Sequence, residues 1–559
     1  MQATGQPQDR HWWAEEDTPV RNDSRVTYLV DGRAAFFFIC RQIIKARQYI
    51  YLANWGMTAG IEIVRGSDHR VGPDESTEQE IFIAELRAEG FSEQDIRFWH
   101  SSTLSLQAVL SYAVSKGVEV KVLLWDGPPL SHHSPEETRQ QLTAAGIICL
   151  LDDSSRGILH HPAESLHQKI SIIDGICAFV GGVDPLIEHE GEFDRWDTPS
   201  HPFSTPLRRT SQGTTPHPWH DAHAMIEGPA AGDVEHNFRQ RWNDVVNRHK
   251  LDESLLISAR STTPPLESTS IVQIARTIPQ HTYSFSPAHG IQGISQFYAN
   301  ALSNITHFAY LENQYLWLRA FTGIDVPVIG FDSPDMERIL HELAQALRRG
   351  ATIGIVLPDH PNAGRAFTDA ALTRLHNDAP QAVPERRLLA FCLATSTNEA
   401  NREHYRPIYV HAKVAIVDDL WTTVGSANLN NRGMRDDTEI NVATLDTRLA
   451  HGLRLMLQGE HLGLVRDNEQ LALSLLLGGQ HQPRQQQELA RHVLDHLERI
   501  LGDPIKALRL LDERAQENLQ RYQANQSLQG HLLPYLTAEE ATRLGLNFRE
   551  EHGWIEEPG

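Results

Sequence analysis

A histidine and a lysine stand one residue apart twice in this chain, as His167-Gln168-Lys169 and as His411-Ala412-Lys413. Each pair heads an otherwise apolar run, "HQKISIID" and "HAKVAIVD". Titratable groups are costly to bury without a partner or a task, so the repetition calls for a chemical reason. Both copies carry an aspartate seven residues after the histidine, Asp174 and Asp418. Both carry a pair of small residues fourteen after it, Gly181-Gly182 and Gly425-Ser426. Two imidazoles and two ammonium groups in one pocket suit phosphoryl transfer. The lysines hold the non-bridging oxygens and stabilise the transition state. One imidazole attacks phosphorus, and the other protonates the leaving oxygen and then activates the incoming hydroxyl. Histidine suits both tasks because it titrates near neutrality. On this reading the reaction needs no metal and no cofactor.

The elements that position these residues are also written twice. "YLVDGRAAFFFICRQIIKARQYIYLANWGM" reads as a helix followed by a strand, and so does "GISQFYANALSNITHFAYLENQYLW". "LQAVLSYAVSKGVEVKVLLWD" and "MERILHELAQALRRGATIGIVLPD" each read as helix, glycine stop and apolar strand. The His-x-Lys unit comes third in each half. There Asp174-Gly175 and Asp418 mark a turn, and "ICAFVGG" and "WTTVGS" read as the returning strand. Alternation of strands and helices predicts an α/β fold. We expect two pseudo-symmetric lobes, each a mixed sheet flanked by helices, meeting over one site. The expected divisions are residues 1–256, 257–466 and, as a helical C-terminal appendage packed on the second lobe, 467–559. "ISARSTTPPLESTS" is the expected boundary between the lobes.

Composition narrows the function classes. The chain has 559 residues and a formal net charge of −22, which argues against a general nucleic-acid binder. Its four cysteines, Cys40, Cys149, Cys177 and Cys392, lie in apolar runs without CxxC spacing, so we read them as buried hydrophobes. The N-terminal segment lacks the pattern of a secretory signal, and no apolar run is long enough for a membrane helix. This predicts synthesis as a soluble cytoplasmic chain, with export by a non-standard route left open.

The paired motifs resemble those of the phospholipase D superfamily, whose signature is HxKx4D followed by small residues and often Asn. Gly425-Ser426-Ala427-Asn428 matches as well, and the resemblance runs over residues 25 to 465. "GGVD", "FDRWDTPSH", "PWHDAHAMIEGP" and "YLENQYLW" are similar to the eukaryotic-type branch of true phospholipases D. With no recognisable N-terminal lipid-binding module, the chain looks like a bacterial member, with the antibacterial effectors of type VI secretion as one candidate group. The resemblance implies hydrolysis of the distal phosphodiester of glycerophospholipids to phosphatidic acid and an alcohol, and transfer to other alcohols. The alternatives are a cardiolipin-synthase-like phosphatidyltransferase and a superfamily nuclease. It implies His167 as nucleophile, His411 as acid and base, and Lys169, Lys413 and Asn428 as phosphate ligands. Asp184, where the second half has Asn428, joins that group with an unsettled role. Glu439 fits the acid that orients His411, and Asp197 is the candidate for His167. Asp174, Asp418, Gly181, Gly182, Gly425 and Ser426 are read as structural.

His217, His220 and His223 in "PHPWHDAHA" raise a metal reading, which the loose spacing and the prolines argue against. Trp55, Trp125, Glu312, Asn313 and Tyr315 are expected as pocket wall and scaffold. The expected partner is a phospholipid membrane acting as substrate, with no nucleic acid. A secretion-system carrier or an immunity protein is a candidate partner, and a monomer is expected. "LRAFTGIDVPVIGF" is a candidate membrane-facing loop.

Overall fold

The computed structural model describes residues 11–15, 17–69, 77–127, 134–156, 164–188, 193–209, 216–259, 270–320, 332–359 and 365–546. Most of the expected lobe boundary and of the candidate membrane-facing loop lie outside the described residues.

Two mixed sheets carry the fold. In the first, seven strands lie in the order Arg25–Val30, Ala222–Glu227, Cys177–Gly181, Ile170–Ile173, Tyr49–Asn54, Glu119–Trp125, Ile148–Asp152. Seven strands of the second sheet repeat that order: Ile271–Ile278, Glu439–Leu445, Trp421–Gly425, Lys413–Val417, Phe308–Asn313, Thr352–Val356, Leu388–Glu399. The sense of every pairing repeats too. The last two junctions are parallel and the other four antiparallel in both sheets. The duplication expected from three matched sequence units therefore extends to seven strands.

Period-two alternation sorts the side chains. Ile50 and Leu52 face an outer core under the helices of the first lobe, whereas Tyr49, Tyr51 and Ala53 face inward. Ala309 and Leu311 face the outer core of the second lobe, and Phe308 and Tyr310 face inward. The inward faces of both sheets share one central core with the helices Pro229–Arg248 and Thr447–His461. The lobes thus meet face to face across apolar surface, and burying each large apolar side chain there contributes about 1.5–3 kcal/mol. All four cysteines are buried and free.

The hairpin turns are fixed by their aspartates. Asp174 and Asp418 have φ of +53° and +52°, a region that Asp tolerates better than most residues. Asp174 accepts from the backbone N–H groups of Arg47, Gln48 and Tyr49 at 2.7, 2.7 and 2.9 Å. Asp418 accepts from those of Thr306, His307 and Phe308 at 2.8, 2.9 and 2.8 Å. Each carboxylate gathers three N–H groups that lead into the neighbouring strand, of which only those of Tyr49 and Phe308 belong to buried residues.

The C-terminal segment corrects one expectation. It is helical over Asp467–Leu477, Arg484–Leu501, Pro504–Gln523 and Ala538–Leu544, but it does not pack on the second lobe alone. Gln480 donates to Thr27 Oγ1 at 3.0 Å, and Arg25 donates to the Gly479 carbonyl at 3.3 Å, both on the first strand of the first lobe. A short strand, Leu532–Pro534, joins the second sheet beside Leu388–Glu399. The segment has apolar faces for both lobes, so it straddles them. Among the described residues, no helix is long and apolar enough to cross a membrane.

Candidate active site

His167 and Lys169 stand just before the strand Ile170–Ile173, and His411 stands just before Lys413–Val417. Each lead-in segment leaves its own lobe and pairs with the other. Leu166 bridges Thr438 in parallel, and the His167 N–H donates to the Thr438 carbonyl at 2.9 Å. Reciprocally, Tyr409 and Val410 pair in parallel with Trp219 and His220, and the His411 N–H donates to the His220 carbonyl at 2.8 Å. In both cases the residue after the accepting carbonyl is an acid, Glu439 or Asp221. The exchange therefore sets each imidazole against a carboxylate of the opposite lobe. His167 Nδ1 lies 2.9 Å from Glu439 Oε1, and His411 Nδ1 lies 2.7 Å from Asp221 Oδ2.

This geometry corrects the expected pairing. Glu439 orients His167, not His411, because the partner strand crosses the lobe boundary. Asp197 does not reach His167. It lies 3.1 Å from His201 Nδ1, receives Arg208 Nε at 3.2 Å and receives the Trp219 N–H at 2.8 Å. Asp221, the partner of His411, was not singled out from sequence. Its counterpart Glu439 follows its own motif histidine by 28 residues, whereas Asp221 follows His167 by 54. The inserted loops hid the correspondence, although the strand patterns "HDAHAMIEG" and "TEINVATL" carried it.

The small residues make room for polar side chains of the neighbouring strand. A Cβ on Gly182 would collide with Asp221 Oδ1, and one on Gly425 would collide with Asn441. At the position of Gly182 the second half has Ser426, whose hydroxyl donates to Glu439 Oε2 at 2.5 Å.

The lysines are not equivalent. Lys169 Nζ donates to the His167 carbonyl at 2.7 Å and pairs with Asp184 at 3.1 Å. Asn54 also donates to Asp184, at 3.1 Å. Lys413 Nζ donates to the His411 carbonyl and, at 3.1 Å, to Gln314 Oε1, which also accepts from Asn428 at 3.1 Å. Among the described residues no carboxylate lies within ion-pair distance of Lys413. Burial pushes the Lys413 ammonium down to about 7, with Lys169 and Arg195 adding to the effect.

Burial, and then the charges of Lys169 and Lys413, hold the His167 imidazolium well below its usual range. Burial, then Lys413, Arg195 and Lys169, do the same to His411. Burial pushes the Glu439 carboxyl the other way, upward. Nδ1 of His167 is engaged by Glu439, so Nε2 is the ring nitrogen outside that contact.

Trp55 stacks on Trp125 with centroids 5.8 Å apart and meets the His167 ring edge-on at 6.4 Å. Tyr315 stacks near Trp317 at 4.2 Å. Asn313 is scaffold, accepting from the backbone of Tyr315 and Leu429 at 3.2 and 3.0 Å. Glu312 is not pocket wall. It is buried between His220 Nε2 and His461 Nε2, both at 2.7 Å.

The three histidines of "PHPWHDAHA" do not converge. His217 stacks on Phe193, His223 packs on Gly181, and His220 enters a buried cluster. There Asp31, His201, His220 and Glu460 bring ligand atoms within 4.8 Å of one another, and Asp31 Oδ2 has no hydrogen-bond partner. Against the lowering effect of burial, Asp31, Asp197 and Glu460 push the His201 imidazolium up to about 10, and Glu460 and Glu312 push that of His220 well up, so the cluster is a buried imidazolium–carboxylate network. It lies behind the His411 half-site, since Asp31 donates its N–H to the Asp221 carbonyl at 2.8 Å.

Two lobes with crosswise histidine–carboxylate pairs define a duplicated α/β fold with one shared two-histidine site. Residues 96–317 match the family model described as Phospholipase D, and residues 319–458 match that described as Cardiolipin synthase, PLD-like domain. Phospholipase D alpha 1 of Carica papaya is 26% identical over 546 residues, covering 76% of this chain and 63% of the relative. The Zea mays protein of that name is 25% identical with the same coverage. The chain belongs to the phospholipase D superfamily. It spans less than two thirds of the length of these curated relatives. Among solved structures, phosphatidylserine synthase of Haemophilus influenzae Rd KW20 aligns over 91% of this chain and 97% of that one, at 12% identity and a TM-score of 0.46.

Proposed function

We propose that the protein is a phospholipase D that works through a phosphohistidine. The observation that carries this is the crosswise pairing His167–Glu439 and His411–Asp221, with Lys169, Lys413 and Asn428 gathered around it. His167 Nε2 attacks phosphorus while the bond to the head-group oxygen breaks, and His411, protonated in the substrate complex where the anionic phosphate offsets the neighbouring cations, gives that oxygen its proton. His411 then takes the proton of a water or an alcohol, whose oxygen attacks phosphorus and releases His167. Lys169, Lys413 and Asn428 hold the phosphate oxygens throughout. The products with water are phosphatidic acid and the free head-group alcohol. The partner in this reading is a phospholipid surface.

The second reading is a phosphatidyltransferase, favoured by the description of the model that matches residues 319–458. One experiment separates the two. The protein is incubated with vesicles of mixed phospholipids with and without ethanol. Free head group and phosphatidic acid, replaced in part by phosphatidylethanol, support the lipase. Products formed only with a lipid alcohol acceptor support the transferase, and no lipid product overturns both.

A further inference from the structure

Gln168 stands between His167 and Lys169, yet its side chain belongs to another network. It is fully buried. Its Nε2 donates to the Glu439 carbonyl at 2.9 Å, and its Oε1 accepts from Asn237 Nδ2 and Arg241 Nη1 at 2.7 and 2.9 Å. Asn237 and Arg241 lie four residues apart on the helix Pro229–Arg248, so one helix face presents both donors. Chemistry fixes the direction of the Gln168 amide. A guanidinium only donates, so Arg241 takes the oxygen end of Gln168 and leaves the nitrogen to face Glu439. Arg276 Nη1 donates to Asn237 Oδ1 at 3.2 Å and orients that amide in the same way. Arg241 is itself held, donating to the Tyr283 hydroxyl at 2.8 Å and to Asp152 Oδ2 at 3.3 Å. The grip on Glu439 is twofold. The His167 N–H takes the Thr438 carbonyl, in the peptide before Glu439, and Gln168 takes the carbonyl of the peptide after it. Two neighbouring motif residues thus clamp both peptides that flank the Glu439 Cα, from which the carboxylate reaches His167 Nδ1. Ala412, at the matching place in the second motif, has no side-chain donor.

We propose that Gln168 is a positioning residue of the His167 half-site, which fixes the backbone of Glu439 and through it the orientation of the His167 ring. The inference rests on the phosphodiesterase reading above, with His167 as nucleophile. Clamping both flanking peptides fixes the direction in which the Glu439 side chain leaves the strand. The ring that attacks phosphorus is then set before substrate arrives, and misplacing an attacking atom by about 1 Å costs about 10²-fold in rate. Arg241 supplies the rigidity, because a flipped Gln168 amide would turn its N–H donors against those of the guanidinium. The clamp serves one half only, since the alanine of the second motif leaves Asp221 without it. Its loss should therefore slow the steps in which the bond between His167 and phosphorus forms and breaks.

The test uses the full chain with Gln168→Met, which fills the space without hydrogen bonds, and Gln168→Glu, which keeps an acceptor for Asn237 and Arg241 but loses the donor to Glu439. Each is also combined with Glu439→Gln, and melting curves establish folding. Head-group release from vesicles of mixed phospholipids gives kcat and KM. Isotope-labelled histidine spectra, assigned with His167→Ala, follow the His167 ring. In both variants kcat is expected to fall about tenfold or more with KM little changed, and the His167 ring-nitrogen signals to move. On the Glu439→Gln background neither substitution should lower kcat further, because both act on one contact. A Gln168→Glu protein with the parent's kcat and His167 signals overturns the proposal, since its bonds to Asn237 and Arg241 would then be all that matters. Losses that add in full to that of Glu439→Gln overturn it too, as do two variants that fail to fold, which would assign Gln168 to the core alone. If the parent releases no head group, the phosphodiesterase reading fails, while the His167 signals still decide the role of Gln168.

Discussion

His167 and His411 share one local geometry but not one electrostatic setting. Each donates its backbone N–H across the lobe boundary and meets a carboxylate at Nδ1. Around them, Lys169 is matched by Asp184 and Lys413 by neutral amides. Lys413, pushed down by burial to about 7, is the cation most sensitive to pH. It is charged below that value and neutral above it, so binding of inorganic phosphate to the free protein should weaken as pH rises through about 7. Lys413→Arg, with a group charged throughout, should retain binding to about pH 9, and calorimetric titration at several pH values checks this. Loss of general acid–base help in His411→Ala should lower head-group release by about 10²–10⁴-fold. The histidines and lysines were legible in sequence because duplication repeats them at fixed spacing. Their partners were not. Asp221 and Glu439 reach the histidines through pairing between lobes, and Asp197, an apt acid by local sequence, turned out to hold His201 and Arg208.

At the scale of elements, the two hairpins do the placing. The strands after each histidine run into a turn fixed by Asp174 or Asp418 and return to a small residue beside the acid. Asp174→Ala would leave three strand-leading N–H groups without their acceptor, of which only that of Tyr49 belongs to a buried residue, at a cost of about 1–3 kcal/mol. A fall in the midpoint of denaturant unfolding, with the phosphate affinity of the folded protein unchanged, is the expected outcome for this substitution and for Asp418→Ala. Gly182→Ala should act the other way. Its Cβ would displace Asp221 from His411, so activity should fall about 10²-fold or more while the melting temperature moves little. Turn and strand were readable from "IID-G" and "GG" in the sequence. The strand exchange was not, since parallel bridges as short as Leu166–Thr438 and Tyr409–Trp219 leave no periodic signal.

At the scale of the molecule, the central core and the C-terminal helices join the lobes into one unit. Leu473 and Leu497 are fully buried in that shared core, and Leu497→Ala should cost about 2–5 kcal/mol. Unfolding followed by both calorimetry and tryptophan fluorescence should give a single coincident transition, because neither lobe completes its core alone. The sequence showed that this segment is helical but not that its apolar stripe serves both lobes, which depends on how the lobes are set against each other.

The central claim is that His167 carries the phosphoryl group and His411 manages the protons. It is tested most directly by mixing His411→Ala with a phosphodiester whose leaving group needs no acid, such as a phosphatidyl nitrophenol, and measuring intact and peptide masses. The account predicts a burst of nitrophenol, about one per protein, and a persistent phosphatidyl adduct on His167 that wild type does not accumulate. An adduct on another residue, or steady turnover with no adduct, would contradict it.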